Sequence, residues 1–552
     1  MKFPKSIVLA LLSLFLFVSP SKASHIVGGE ITWECTATGE YIFKMVVYRD
    51  CDGTFFTFQN ESLWVNGFTG ASSVTLKPDS TKWARMNNGY LNPQCNAQIT
   101  SQQLLCSNHD VGTIQAFYFS SDPILLQGTS GPWGITLRWD APCCRPTDIQ
   151  NLAAAGSQSI SAKMFLNGRN SNPCADNSPV FSAYPDYTFC RGYNTSNEYA
   201  AIDLDGDSLV YSFSRTYNGF GAIPYAPGYS YTNPTPDANF NNSNIPSTLN
   251  PRSGLLNFAV FSGVGSGPRS YYIVSEVSAY RNGILNAQVR RELPVYLLDC
   301  PQLPNFTTNQ PPTINAPFSA NGSPSFQDSV VVGNPINASI FVLDTNLVNQ
   351  GGQELTIQVS SDNLTHDYSI NGNCPIPGDS SCAYIWSFTS PTYDSTKDVY
   401  LFKRQSNFNC NLRWTPDCSD LDSSGGAKTY NFLIRVQDDH CPLPGIRHEV
   451  IEITVLPDPA NPCGTITNLK KEANWKEDVH LFPNPTNGLI QMNLPKQALL
   501  LRVFTLSGQL LQEQPFNGTS NAEFNLEGHS GIYFLEISNE QGERVFKKVV
   551  KQ

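Results

Sequence analysis

Charged side chains are sparse along this chain. Asp, Glu, Lys and Arg supply 15% of its 552 residues, where an average soluble domain carries about 25%. The net formal charge of -11 is diffuse, and an acidic balance of that kind argues against nucleic acid as a partner. Histidine is rarer still. The seven residues His25, His109, His366, His440, His448, His480 and His529 never fall at i, i+4 spacing, and no His-Glu-x-x-His occurs, so the helical zinc-protease pattern is missing. A Gly-x-Ser-x-Gly nucleophile elbow is missing too, since Gly128-Thr129-Ser130-Gly131 is one residue short of it. Neither a phosphate-binding glycine loop nor a Cys-x2-Cys zinc pair is present. Beyond residue 18 no apolar run is long enough for a membrane-spanning helix. These absences make a non-enzymatic protein the expectation. A secreted hydrolase with a carboxylate pair on separate strands, or a carbohydrate-binding protein with a site built from loops, stays open as the alternative.

What is abundant favours turns and sheets. Gly and Pro each occur 39 times and aromatic residues reach 11%, which gives many turns, bulky cores and few long helices. The length suggests about four domains. At the start, Lys2 and Lys5 precede an apolar run from Ile7 to Val18, followed by Ser21-Lys22-Ala23. This is the pattern of a signal peptide over 1–23, too short in its apolar part to span a bilayer. The mature chain is expected to be exported and to carry no transmembrane segment.

Fifteen cysteines in an exported chain are expected to be mostly disulfide-bonded. Short spacings suggest local staples: Cys35 with Cys51, Cys95 with Cys106, Cys174 with Cys190, Cys374 with Cys382, Cys410 with Cys418, and Cys441 with Cys463. Sequence alone does not fix connectivity. Cys143 and Cys144 are adjacent and not expected to bond each other, Cys300 needs a distant partner, and the odd total leaves a thiol free or intermolecular.

The C-terminal stretch carries the densest set of motifs. It opens Leu481-Phe482-Pro483-Asn484-Pro485-Thr486-Asn487-Gly488, continues through Val503-Phe504-Thr505-Leu506-Ser507-Gly508 and Gly531-Ile532-Tyr533-Phe534-Leu535, and ends Lys547-Lys548-Val549-Val550-Lys551-Gln552. The prolines remove amide donors and fix φ, so they mark a turn or sheet edge. Ser507-Gly508 is a turn dipeptide, and Ile532 to Ile537 is apolar and strand-prone. This ordered set resembles the C-terminal sorting domain of substrates of the Bacteroidetes type IX secretion system. The resemblance implies a small β-sandwich over 479–552, recognised by the secretion machinery through Pro483, Asn484, Pro485, Gly488, Gly508, Gly531, Tyr533 and Lys548. It also implies export across the outer membrane, followed by surface attachment or release.

Short strands and turn signals fill the rest. Residues 24–170 read as one all-β domain beginning Ile26-Val27-Gly28-Gly29-Glu30. Trypsin-like proteases start this way, but no catalytic-histidine motif follows. The segment through Trp33-Glu34-Cys35 and Tyr48-Arg49-Asp50-Cys51 is similar to the start of gliding-motility-associated surface proteins. Residues 171–300 and 301–457 read as diverged copies of one module. Leu255 to Phe258 matches Leu412 to Trp414, Tyr271 to Val277 matches Tyr430 to Val436, and an Arg-x-Glu strand closes each. The expected fold class is all-β: tandem immunoglobulin-like or cadherin-like sandwiches, then a linker over 458–478 and the small sorting domain.

Two local features invite chemistry. Asp203, Asp205 and Asp207 stand at alternate positions around Gly206, where three carboxylates can converge on calcium. The turn resembles the Asp-x-Asp-Gly-Asp of bacterial cadherin-like modules, and a solvated acidic turn is the plain alternative. Asp344 with Asn346 is a poorer version, and Asp438-Asp439 reads as structural. Tyr225, Tyr229 and Tyr231 could stack on sugars or pack as an ordinary aromatic loop. The reading as a whole is a secreted or surface-displayed adhesive or structural protein. Its expected partners are the type IX machinery and a surface polysaccharide or another cell-surface protein.

Overall fold

The computed structural model describes residues 26–552 other than 37, 54–55, 57–58, 86, 92–103, 129, 132, 142–144, 147–148, 154–155, 167–173, 175, 182–185, 204, 206, 220, 262–268, 301–308, 349–352, 362–363, 365–382, 388–391, 395–398, 406, 423–424, 461–462, 464–478, 495–497, 506–509, 518–520 and 540–543. The signal peptide, Cys95, Cys143, Cys144, Cys374, Cys382 and Gly508 lie outside the described residues, as does most of the 458–478 linker. The chain is all-β, built of tandem sandwiches. It divides into two compact units, Met1–Ala460 and Asn461–Gln552.

In the first unit, alternation decides which face is buried. Along Tyr41–Asp50, Tyr41, Phe43, Met45 and Val47 point into the core while Ile42, Lys44 and Val46 are only partly covered. This strand pairs with Ile26–Cys35 on one side and Ile114–Ser120 on the other. The sheet then runs through Ser73–Pro78, Glu61–Asn66, Ile135–Asp140 and Ser159–Met164 to the long strand Ile284–Leu298. That strand also meets the first one at Gly29 opposite Glu292, so the pairing path closes on itself. Closure accounts for the paired glycines. A Cβ on Gly28 would lie 1.8 Å from the Glu292 carbonyl oxygen, and one on Gly29 would lie 2.3 Å from that of Val46. Ile26-Val27-Gly28-Gly29-Glu30 is thus a sheet-closing strand.

Closure also corrects the expected boundary at 170/171. Ile284–Leu298, assigned from sequence to the second domain, completes the sheet of the first, and one apolar core runs from Ile31 and Trp33 through Trp139 to Ile273 and Val289. Two buried ion pairs fasten the shared strand: Arg291 to Glu30 at 2.5 Å and Arg145 to Glu292 at 2.8 Å. Within the Arg-x-Glu signature it is Arg291 and Glu292 that serve the interior, while Arg290 pairs with Glu276.

The two copies share one topology. In the first, Thr188–Cys190 runs parallel to Ile284–Leu298, which pairs with Arg269–Arg281, which pairs with Ser208–Phe213. The facing sheet is Asn194–Glu198, Leu255–Ala259 and Ile245–Leu249. In the second, Gln327–Val331 runs parallel to Ile446–Leu456, followed by Lys428–Gln437 and Glu354–Ser360. Its facing sheet includes Ile336–Leu343, Phe408–Trp414 and Tyr384–Trp386. Trp414 bridges the two layers, edge-on to Tyr430 at 4.9 Å and Phe432 at 5.9 Å.

Disulfides join distant segments where local staples were expected. Cys35 pairs with Cys174, Cys51 with Cys106, and Cys190 with Cys300. Cys35–Cys51, Cys95–Cys106 and Cys174–Cys190 are therefore replaced. In the first hairpin Cys35 stands opposite Tyr41, while Cys51 follows Asp50 at the far end. At about 3.3 Å per residue those ends are roughly 30 Å apart. Cys410 is a buried free thiol, so it does not pair with Cys418, which is disulfide-bonded, as are Cys441 and Cys463.

The second unit is a small sandwich of two sheets. One orders His480–Phe482, Leu489–Asn493 and Asn521–Asn525. The other orders Leu510–Asn517, Ala498–Thr505, Gly531–Asn539 and Arg544–Lys551. Its own core contains Ile490, Met492, Leu501, Val503, Phe524, Leu535, Ile537 and Val549.

Candidate functional site

The tail folds so that its first and last motifs meet. The Asn484 side chain accepts from the Val550 amide and donates to the Lys548 carbonyl, both at 2.8 Å. The Thr486 amide donates to the Val550 carbonyl at 2.8 Å, and the Gln552 amide returns to the Thr486 carbonyl at 2.9 Å. Pro483 and Pro485 flank this rung on the surface, where a missing amide donor costs nothing. Lys551 Nζ donates to the carbonyls of Leu526 and Gly528, and Tyr533 donates its hydroxyl to the His529 carbonyl. Gly488 is buried and its φ is +125°. Gly531 and Lys548 begin and pair along the last two strands. The outer face of the larger sheet stays partly apolar: Leu510, Phe504, Phe534 and Lys548 form one cross-strand row, with Leu510 and Phe534 exposed.

The acidic turn in the first sandwich gathers around a cation supplied by the chain itself. Arg281, at the end of its strand, reaches Asp207 at 2.6 Å, Asp176 at 2.7 Å and Asp205 at 3.0 Å. Asn286 donates to Asp207 at 3.1 Å. Asp203 turns inward, and its Oδ1 accepts from the amides of Asp205 and Asp207. Burial raises Asp176 to about 7 against the pull of Arg281, and raises Asp203 to about 6 against its backbone donors. The guanidinium occupies the point where the carboxylates converge. Among the described residues no group of three or more His, Cys, Asp and Glu side chains is arranged to hold a metal ion. The turn does not fit the calcium expected there.

The same end of the second sandwich gathers Asp344 and Asp438 without a guanidinium among the described residues. Asp438 follows the strand Lys428–Gln437 as Arg281 ends its own. Asp438 accepts from the amides of His440 and Gly445 at 3.0 and 2.9 Å and from Asn309 Nδ2 at 2.8 Å. Asp344 Oδ1 accepts from the Asn346 amide at 2.8 Å. Asn346 and Gln353 both donate to Asn309 Oδ1, and Gln353 also meets His440 Nδ1 at 3.1 Å. Burial pushes Asp438 up to about 7, opposed by its donors and reinforced by Asp344.

The sandwiches are fastened to each other by a cluster that sequence reading missed. Arg435 makes a two-pronged pair with Asp186 at 2.7 and 2.8 Å, and His448 Nε2 lies 3.2 Å from the same carboxylate. The His448 amide also donates to Ser196 Oγ at 2.7 Å. Burial works against the Asp186 charge, but Arg435 and His448 hold its carboxyl well below the usual range. Leu255, Leu433 and Val450 pack beside the cluster. No local motif marks it, because its members are brought together only by the stacking of the two copies. The aromatic loop is packed as well: Tyr229 stacks on Phe240 at 4.7 Å, Arg215 lies over Tyr231, and Tyr225 rests on the Leu152 cluster.

With this geometry in view, residues 480–552 match the family described as secretion system C-terminal sorting domain. The chain carries a type IX sorting tail, which implies interaction with that secretion machinery and secretion to the outer cell surface or beyond. No helix among the described residues is long and apolar enough to cross a membrane. No curated protein sequence matches the chain. Among solved structures it is similar to a multi-domain fragment of titin, at 10% identity over 68% of this chain and 99% of that one, with a TM-score of 0.14. It is also similar to the Salmonella enterica SafA pilin in complex with the SafB chaperone, at 13% identity over 44% and 98%, with a TM-score of 0.16. A Bacteroides ovatus mixed-linkage glucan utilisation protein in complex with a heptasaccharide matches at 13% identity over 68% and 71%, with a TM-score of 0.12.

Proposed function

We propose that this chain is a non-enzymatic protein, displayed on or released from the outer cell surface, with an adhesive or structural role that extends to gliding. The observation that carries this reading is the Arg435–Asp186–His448 fastening between the sandwiches. It makes a preformed scaffold of them, in place of a hinged cleft that closes on a substrate. Contact groups suited to a polysaccharide or protein partner are present at the N-terminal sheet: Trp133, in the turn before Ile135–Asp140, is 83% exposed, and Trp64, on Glu61–Asn66, 46%. Exposed indoles combine a large apolar face with a donor, and they stack on sugars or anchor interfaces.

The hydrolase alternative has one supporting observation, the raised carboxyls of Asp176 and Asp203. Asp176 is engaged by Arg281 and Asp203 by backbone amides. A shallow described cleft, lined by Phe189, Tyr193, Thr195, Asn309, Leu443 and Ile446 among others, has no carboxylate in its wall.

Fractionation of cells making the full chain and a chain ending at Pro457 tests the placement. The full chain is expected at the surface or in the medium and the short one in the periplasm; equal export of both would overturn the sorting role. Adhesion of cells bearing Trp133→Ala tests the role itself. Unaltered binding to polysaccharide and to neighbouring cells would remove the indole from it, while hydrolysis of a glycan by the purified chain would favour the alternative.

A further inference from the structure

The two copies present the same three elements at one end. These are the segment leading into the sandwich, the turn near its first acidic residue, and the end of its long central strand. In the first copy they bring Asp176, Asp203, Asp205 and Asp207 around Arg281. In the second they bring Asn309, Asp344 and Asp438 together with Gln353. By the matched strands, Tyr271 to Val277 with Tyr430 to Val436, Arg281 corresponds to His440, and Asp438 stands two residues earlier. Among the described residues neither Asp344 nor Asp438 forms an ion pair with a basic side chain, although Asp344 is only 3% exposed and Asp438 1%.

Two buried carboxylates joined through one hydrogen-bonded network, neither ion-paired to a Lys or Arg among the described residues, are costly to hold ionised. Asp438 accepts through both of its oxygens, but Asp344 accepts through only one. Asp344 Oδ2 is buried with no hydrogen-bond partner, and so is the side-chain carbonyl oxygen of Gln353. Both belong to the network that runs through Asn309 to Asp438. Backbone amides fix Oδ1 of each aspartate, which orients the carboxylates before any ligand arrives. The donor set is all oxygen, part carboxylate and part amide carbonyl, and this is what a hard divalent cation takes.

We propose that this network in the second sandwich is a calcium site, in which Asp344, Asp438 and the Gln353 carbonyl hold the ion at the end of the sandwich where, in the first copy, Arg281 gathers the acids. Calcium is thereby assigned away from Asp203, Asp205 and Asp207, where the sequence placed it. One copy carries its cation covalently, and the other takes it from the medium outside the cell. Millimolar affinity suffices there, as in other extracellular modules.

The test is equilibrium dialysis of calcium against the full chain after chelator treatment, with thermal melting in parallel. The wild type is expected to bind calcium and to melt about 5 °C higher in 10 mM CaCl2 than in EDTA. Asp344→Asn and Asp438→Asn each lose one bound ion and the melting shift, whereas Asp203→Asn retains both. If Asp438→Asn fails to fold, Asp344→Asn at the less engaged carboxylate decides the outcome. No calcium uptake by the wild type, or loss of the ion in Asp203→Asn with retention in Asp344→Asn, overturns the proposal.

Discussion

Asp176 and Asp203 show how a cluster rich in acid is held inside a folded chain. Burial raises their carboxyls to about 7 and about 6, with the neighbouring acids adding to the effect. An unfolded Asp titrates near 3.9. Between about 4 and 7 the folded chain therefore keeps protons that the unfolded chain has released, and folding stability falls as pH rises through that window. The unfavourable contribution is absent below about 4 and complete above about 7. Asp186 works in the opposite direction. Its depressed carboxyl supplies stability above about 4 that is lost only on further acidification. Lowering pH from 7.5 to 5.5 in EDTA is thus expected to raise the unfolding free energy, by about 1–2 kcal/mol after allowance for the opposing pull of Arg281. Asp176→Asn keeps the side-chain shape and an acceptor for Arg281. It should raise the urea midpoint at pH 7.5 and flatten the profile. A wild type that loses stability on going to pH 5.5 would contradict this account.

At the scale of elements, ring closure rests on the glycine pair that looked like a protease start. Gly28→Ala places a methyl 1.8 Å from the Glu292 carbonyl oxygen. Relieving that contact means parting the strands that the Arg291–Glu30 pair fastens. The expected loss exceeds about 2 kcal/mol, read as a lower urea midpoint. Gly131→Ala, whose added carbon meets nothing within 4 Å, serves as the near-neutral control. Equal midpoints for the two variants would remove the steric account of the pair.

The same elements show what the sequence made legible. The matched strands of the two copies were readable because their residues are β-prone and bounded by turn signals, properties that are local. The shared use of Ile284–Leu298 was not readable, because a strand's second neighbour leaves no mark in its own pattern. Disulfide partners were hidden for the same reason: Cys35 and Cys174 are 139 residues apart in sequence and 5.5 Å apart at Cα. In the tail, the first and last motifs were readable one by one. Their meeting through Asn484 became visible only in the fold.

For the molecule as a whole, the two compact units differ in what holds them. Residues 480–552 have a core of their own, and residues 26–460 depend on the contact between sandwiches. Arg435→Met removes the two-pronged partner of Asp186 and leaves a partly buried carboxylate with His448. Loss of one member of such a pair leaves an uncompensated charge, at a cost of about 2–4 kcal/mol given its partial exposure. The methionine fills much of the vacated space, so the loss reports charge more than packing. Calorimetry of the full chain is expected to show the transition of the larger unit move down by several degrees, while that of the sorting tail stays in place. A tail that melts independently remains folded and readable by the secretion machinery when the sandwiches are weakened. The variant should therefore still leave the cell, with its damage confined to adhesion. If both transitions moved together, the tail would be coupled to the sandwiches, and export would fail along with stability.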